Sequence, residues 1–484
     1  MSGRCSFRGS RFRCVYGKPV SRQQSFMGLP ITHGVHDTHC CAVNPAFIAV
    51  VTECAGGGAF LVLPIHHVNG PGGPQHPRVC GHRARVLDVK WNPFDDQSVA
   101  SCSEDCTVKV WHIPACGLQQ DLTRATKTLM GHSRRVAVIE WHPTAQNLLL
   151  SSAYDYKPGA LLRFPVRVVM APLLSVCPSE ALLLSVSFSR DGSSVAVTSK
   201  DRRIRVLDPR TGTILQVSSR GQHRASKVLF ISDKILLSTG SSPWNQRQIL
   251  LWDPDDLSEP LFEEDVDGSA GVLFPFYDPD THLLYVAGKV RDGNIRYYEL
   301  SAEKPSLSYL SEFRSLLPQK GLGVMPKRGL NLNACEVYRF YRLICVKDLV
   351  EPLSMIVPRK EDLYPMTAGN QAAMTAQEWL SGVNRGPVLM SLKPGARVTN
   401  PYPEPAAGTK QDQWTQVEPD CTALTATELD FMEELLQAFY KQQEEIRGLR
   451  EQLNQREVQR HHVNSLTEKE LGVNRENISN KNVG

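Results

Sequence analysis

The chain has 484 residues, 41% hydrophobic and 21% charged, with a formal net charge of +4. That apolar share supports a large core, and so small a charge gives no argument for nucleic acid as a partner. Its 13 cysteines fall at no disulfide-like spacing. Several (Cys102, Cys106, Cys335) sit in predicted strands, which reads as a buried, reduced thiol set.

Residues 1–18 are basic but carry no apolar run, so they do not read as a secretory signal. Arg11-Phe12-Arg13-Cys14-Val15-Tyr16 alternates polar and apolar residues and predicts a strand. In a ring of sheets, such a strand completes the last sheet and removes a free edge. The longest apolar stretch, 47–64, is broken by Glu53 and Gly56-Gly57-Gly58. It predicts two strands around a turn and no membrane span.

From about residue 31 to about residue 343 short strands alternate with turns, and one pattern keeps returning. Its clearest copies are Ser103-Glu104-Asp105-Cys106-Thr107-Val108-Lys109-Val110-Trp111 and Ser199-Lys200-Asp201-Arg202-Arg203-Ile204-Arg205-Val206-Leu207-Asp208. The equivalent positions Asp105, Asp155, Asp201, Arg247 and Asp292 recur about every 45–50 residues. Gly81-His82 and Gly131-His132 open units, and Trp-Asp or a variant closes them, which is the signature of WD40 propeller blades. A propeller is a binding platform, so the expectation is no enzyme and no cofactor. His82, a serine of the 101–103 segment, Asp105 and Trp111 form the expected structural staple, with His132 and Asp155 one period later. In such a staple each buried polar group satisfies the next.

One unit breaks the pattern. After Asp155 the chain offers Lys157-Pro158-Gly159 where a strand ending in tryptophan is due, so two strands near 157–181 should be distorted. Val290-Arg291 reads as a smaller insertion. Residues 345–393 are rich in proline and turns, and aromatics such as Tyr364 and Trp379 predict an extension docked on the propeller. Residues 394–424 read as a flexible linker. A capping box at Thr425 and Glu428 then opens a heptad frame. It places Leu435, Phe439, Ile446, Leu449 and Leu453 on the seam of a coiled coil at 425–460. The polar tail 461–484 reads as disordered.

Several segments resemble the coronin family. They are Ser10-Arg11-Phe12-Arg13-Cys14-Val15-Tyr16-Gly17-Lys18, Cys41-Ala42-Val43-Asn44-Pro45, Gly323-Val324-Met325-Pro326-Lys327-Arg328-Gly329-Leu330 and Pro358-Arg359. Trp91-Asn92-Pro93-Phe94-Asp95-Asp96 resembles its second vertebrate subclass. The resemblance implies an all-β chain: a seven-bladed propeller at 8–344, then the extension, linker and coil. It also implies a non-enzymatic regulator of actin filament organisation in the cytoplasm and cytoskeleton. The implied partners are filamentous actin, other copies of the chain, and the actin-nucleating complex or other scaffold proteins. Other subclasses carry a filament-linked arginine just before the strand that starts here at Ile31; this chain has Pro30.

An acidic filament asks for a basic face. Candidates are Arg8, Arg11 and Arg13, and Lys200, Arg202, Arg203 and Arg205, whose alternation places Arg203 and Arg205 on a solvated face opposite Ile204. The alternative is a WD40 scaffold subunit of a nuclear co-repressor or signalling complex, since propellers serve many functions. Metal chemistry is not expected: His39-Cys40-Cys41 and Cys102/Cys106 lack a matching distant pair.

Overall fold

Turn chemistry sets the strand boundaries. In the repeat, an aspartate two residues past the second strand bends the chain back: Asp105 Oδ1 accepts from Thr107 N–H at 3.0 Å and from Thr107 Oγ1 at 2.7 Å. The next residue takes a left-handed conformation, Cys106 and Arg202 both at φ +67°, as a tight turn requires. Asp201 makes the same bond to Arg203 N–H at 3.2 Å.

The computed structural model describes residues 12, 14–21, 24–34, 36–53, 57–66, 76–154, 183–219, 223–289, 292–301, 306–357 and 366–393, and the backbone of 160–163 and 174–175. Arg8, Arg11, Arg13, Asp155 and Val290-Arg291 lie outside the described residues, as do the linker, the tail, and the coil with Leu435, Phe439, Ile446, Leu449 and Leu453.

Among the described residues are six four-stranded antiparallel sheets, each with its strands paired in chain order. The first covers residues 41–82, the second 86–129, the third 136–175, the fourth 183–217, the fifth 224–267 and the sixth 273–313. A five-stranded sheet follows. It is built on Gly321–Val324, Glu336–Ile344 and Leu349–Ile356. The N-terminal strand Tyr16–Pro19 pairs with its third strand, Tyr16 opposite Ile356 and Pro19 opposite Leu353. Closure thus falls a few residues later than the alternation at 11–16 suggests. The last sheet also carries the propeller past the expected limit at 344, because Leu349–Ile356 supplies an inner rung of the ladder rather than extension.

The first strands of the sheets line a central channel. Adjacent sheets are joined by indoles: Trp91 Nε1 donates to Ala42 O at 3.1 Å, and Trp141 Nε1 to Lys90 O at 3.0 Å. The circle closes where Leu322 N–H donates to His39 O at 3.1 Å. A β-carbon on Gly321 would strike that same carbonyl. Each sheet face packs on its neighbour, so apolar clusters run from sheet to sheet; one joins Leu283, Tyr285 and Tyr297 to Tyr338, Phe340 and Leu353.

The irregular third sheet is regular in backbone pairing at Ala160–Arg163, which lies beside Leu148–Ser151, while its outer strand is only Leu174–Ser175. The extension reinforces that sheet. Ala145–Gln146 pairs in parallel with Met374–Thr375. The helix Ala376–Leu380, closed by a Thr375/Glu378 capping box, buries Trp379 among Leu148, Leu150 and Phe188. Trp379 Nε1 and His142 Nε2 both bond the Gly192 carbonyl at 3.2 Å. Arg210 lies 4.4 Å over the indole and donates to Trp379 O at 2.6 Å.

Candidate functional site

The second sheet carries a complete polar relay. Asp105 Oδ2 bonds His82 Nδ1 at 2.8 Å; His82 Nε2 lies 2.7 Å from Ser101 Oγ, which accepts from Trp111 Nε1 at 2.8 Å. Ser101 is thus the serine of the 101–103 segment that completes the relay. Burial alone would raise the Asp105 carboxyl, but hydrogen bonds from His82, Thr107 and the Arg83 amide hold it well below the usual range. His82 comes from the first sheet's outer strand, so the relay ties two sheets together. His132 repeats the histidine-to-serine step, its Nε2 2.9 Å from Ser151 Oγ.

The fifth sheet holds a relay that the repeat did not announce. Trp252 Nε1 donates to Ser238 Oγ at 2.8 Å, which pairs with His223 Nε2 at 3.1 Å, and His223 Nδ1 faces Gln248 Oε1 at 3.3 Å. A Gln222-His223 dipeptide stands for Gly-His and an amide for the carboxylate, so only Trp252 matched the pattern. Burial pushes His223 down to about 4, against the hydrogen bond to Gln248. Arg247, at the repeat's aspartate position, instead clamps Asp267 through Nε at 2.7 Å and Asp292 through Nη2 at 2.8 Å.

The basic candidates separate. Lys200 and Arg202 are exposed and Arg203 is half-buried. Arg205 is buried and turns inward: Nη1 donates to Ser199 Oγ at 2.7 Å, and the guanidinium pairs with Asp201. The expected solvated face for Arg205 is therefore corrected. Alternation correctly opposed it to Ile204, but in stacked sheets both faces of Ile204–Leu207 are covered.

At the channel, a cavity of about 460 Å³ is lined by residues including Lys90, Glu140, Lys227, Phe274 and Tyr338. Lys90 pairs with Glu140 at 2.8 Å. Residues 36–39 cross the channel. Lys227 Nζ donates to Asp37 O at 2.6 Å, and Lys289 Nζ to His36 O at 2.6 Å and Thr38 O at 2.8 Å. Burial, with help from Lys289, pushes Lys227 down to about 8, and burial pushes Asp88 up to about 7. The two amines end on backbone carbonyls, so they anchor chain across the ring. Among the described residues no three His, Cys, Asp or Glu side chains cluster as metal ligands.

Sheets of this connectivity and relays of this kind define a WD40-type β-propeller. Residues 75–112 and 173–208 match a family described as WD domain, G-beta repeat; 350–387 match a type of WD40 repeat, and 6–70 a domain of unknown function, DUF1899. The chain is 53% identical to human Coronin-2A over 95% of its own length and 97% of the relative's. It is 52% identical to Coronin-2B of Xenopus laevis over 95% of this chain and 96% of that one. Among solved structures, the WD40 domain of Toxoplasma gondii coronin superposes with a TM-score of 0.72 at 26% identity, covering 78% of this chain and 97% of that domain. The chain belongs to the coronin family.

Proposed function

We propose that this coronin is a non-enzymatic, cytoplasmic regulator of the actin cytoskeleton. Its propeller is a filament-docking platform, and residues 425–460 gather copies of the chain through a coiled coil. With the five-stranded sheet as the seventh blade beside the six four-stranded ones, the platform is a seven-bladed ring. Kinship with Coronin-2A over 95% of the chain is the observation that carries the reading. Lys200 and Arg202, exposed on the turn of the fourth sheet, supply cations that an acidic filament would attract. Such rim charges set encounter rate and salt dependence more than affinity. Weak heads joined by a coil would gain about 10²–10⁴ in avidity.

Filament co-sedimentation paired with mass measurement in solution tests this. Ile446→Asp with Leu449→Asp should yield monomers that no longer co-sediment at physiological salt. Lys200→Glu with Arg202→Glu should weaken binding and flatten its salt dependence while the melting temperature stays put. Full co-sedimentation by a verified monomer removes the role given to the coil. An unchanged salt slope removes the role given to the turn.

A further inference from the structure

A hydrogen-bonded strap crosses one end of the channel. Residues 36–39 lie over the starts of the inner strands. Thr38 Oγ1 donates to Leu87 O at 2.7 Å and His36 Nε2 bonds Ala137 O at 2.9 Å. Lys227 Nζ reaches Leu184 O at 3.2 Å beside its bond to Asp37 O. Each of those three strand carbonyls belongs to the second residue of its strand. The cavity of about 460 Å³ runs away from the strap to Trp141, Phe188 and Tyr277, at or next to the far ends of the inner strands. It is a pocket of the size that takes a small molecule.

Its strapped end gathers hydrogen-bond donors. His39 Nδ1 is buried and has no hydrogen-bond partner among the described residues. Burial pushes His39 well down, and Lys90, Lys227 and Lys289 push it the same way. The ring is therefore neutral and can carry its proton on Nδ1. Ser185 Oγ accepts from Val228 N–H at 3.3 Å, and its own proton has no acceptor among the described residues. Lys227 Nζ gives two protons to carbonyls and keeps a third. His39 and Lys227 meet at one ring: the imidazole lies 5.0 Å from the centroid of Phe274, and Nζ 4.8 Å. The bond to Leu184 O brings the same Nζ beside Ser185.

Charge sets what those donors can receive. Lys90 pairs with Glu140 at 2.8 Å and Lys289 with Asp37 at 3.8 Å. Asp88, pushed up by burial to about 7, carries only part of a charge near neutral pH. Lys227 makes no ion pair among the described residues, so its ammonium is the cation left without a counterion. One surplus cation matches a monoanion, whereas a phosphate dianion would bring a second, unmatched charge into the pocket. The surrounding wall is apolar and aromatic, with Val186, Phe274, Phe276 and Tyr338. Such a wall suits a ligand whose body is apolar.

We propose that this pocket binds a small organic monocarboxylate. Its carboxylate meets Lys227 Nζ, His39 Nδ1 and Ser185 Oγ, and its apolar body lies against Phe274 and Phe276. The site is separate from filament docking and does not rest on it. Calorimetric titration of the full chain with 3-phenylpropionate tests it. Saturable binding is expected, at least about tenfold tighter than for 3-phenylpropanamide, which keeps the shape and loses the charge. Lys227→Met should weaken it about tenfold, and Ser185→Ala about threefold. Lys200→Glu with Arg202→Glu, on an outer turn, should leave it unchanged. The proposal is overturned if the acid shows no saturable binding, or if acid and amide bind equally. It is equally overturned by parent affinity in a folded Lys227→Met or in Ser185→Ala, which would put the acid elsewhere on the chain. If Lys227→Met does not fold, Ser185→Ala and the amide decide the matter. Displacement of the acid by an equal concentration of inorganic phosphate overturns the choice of a monocarboxylate.

Discussion

The second and fourth sheets carry the same repeat and solve the same problem differently. Both turn on an aspartate followed by a left-handed residue, Cys106 in one and Arg202 in the other. In the second sheet the aspartate faces His82, and the relay runs through Ser101 to Trp111. In the fourth, Val197 and Leu207 stand where Ser101 and Trp111 would be, no histidine arrives, and Arg205 folds back to hold Asp201. The lesson is that the repeat specifies a turn whose carboxylate must be neutralised, while the neutralising group is free to change. A cation in a repeat is therefore as apt to be a staple as a docking residue.

Breaking the fourth sheet's staple should give the largest effect. Arg205→Ala leaves the Asp201 carboxylate half-buried without its cation, and a loss of about 3 kcal/mol is expected by denaturant unfolding. Lys109→Ala, at the matching place in the second sheet, removes only a bond to Thr128 at 2.9 Å and should cost about 1 kcal/mol or less. Equal losses at the two sites would erase the contrast.

Ser101→Ala comes next. It strands His82 Nε2 and Trp111 Nε1 in a buried site, and about 2 kcal/mol should be lost.

The smallest effect sharpens the comparison by pH and brings in the fifth sheet, where His223 has a neutral amide for a partner. Its folded value, about 4, lies below the ordinary 6.5. The unfolded chain therefore binds the proton more readily, and stability present above pH 6.5 is lost as pH falls toward 4. About 1 kcal/mol should be gone by pH 5.5, and His223→Gln should flatten that part of the profile. Asp105 has a lowered folded value, so its contribution survives mild acid and fades only below the ordinary carboxylate range. Melting temperatures across pH 4–7.5 distinguish the two behaviours.

The local chemistry of the molecule was readable from residues close in sequence. Asp105 and Asp201 bond amides two positions on, so the turns were legible without neighbours. The second sheet's relay was legible because all its parts have the repeat's residue types. His223 and Gln248 were missed because each is a substitute. Leu349–Ile356 was missed as a propeller strand because that sheet bears neither the aspartate turn nor a closing tryptophan.

The sequence by itself determined the repeat, its turns and one of its relays, because a turn is satisfied by atoms a few residues away. Only the tertiary structure decided that Arg205 is internal and Lys200 external, because each strand's second face is covered by a sheet distant in sequence.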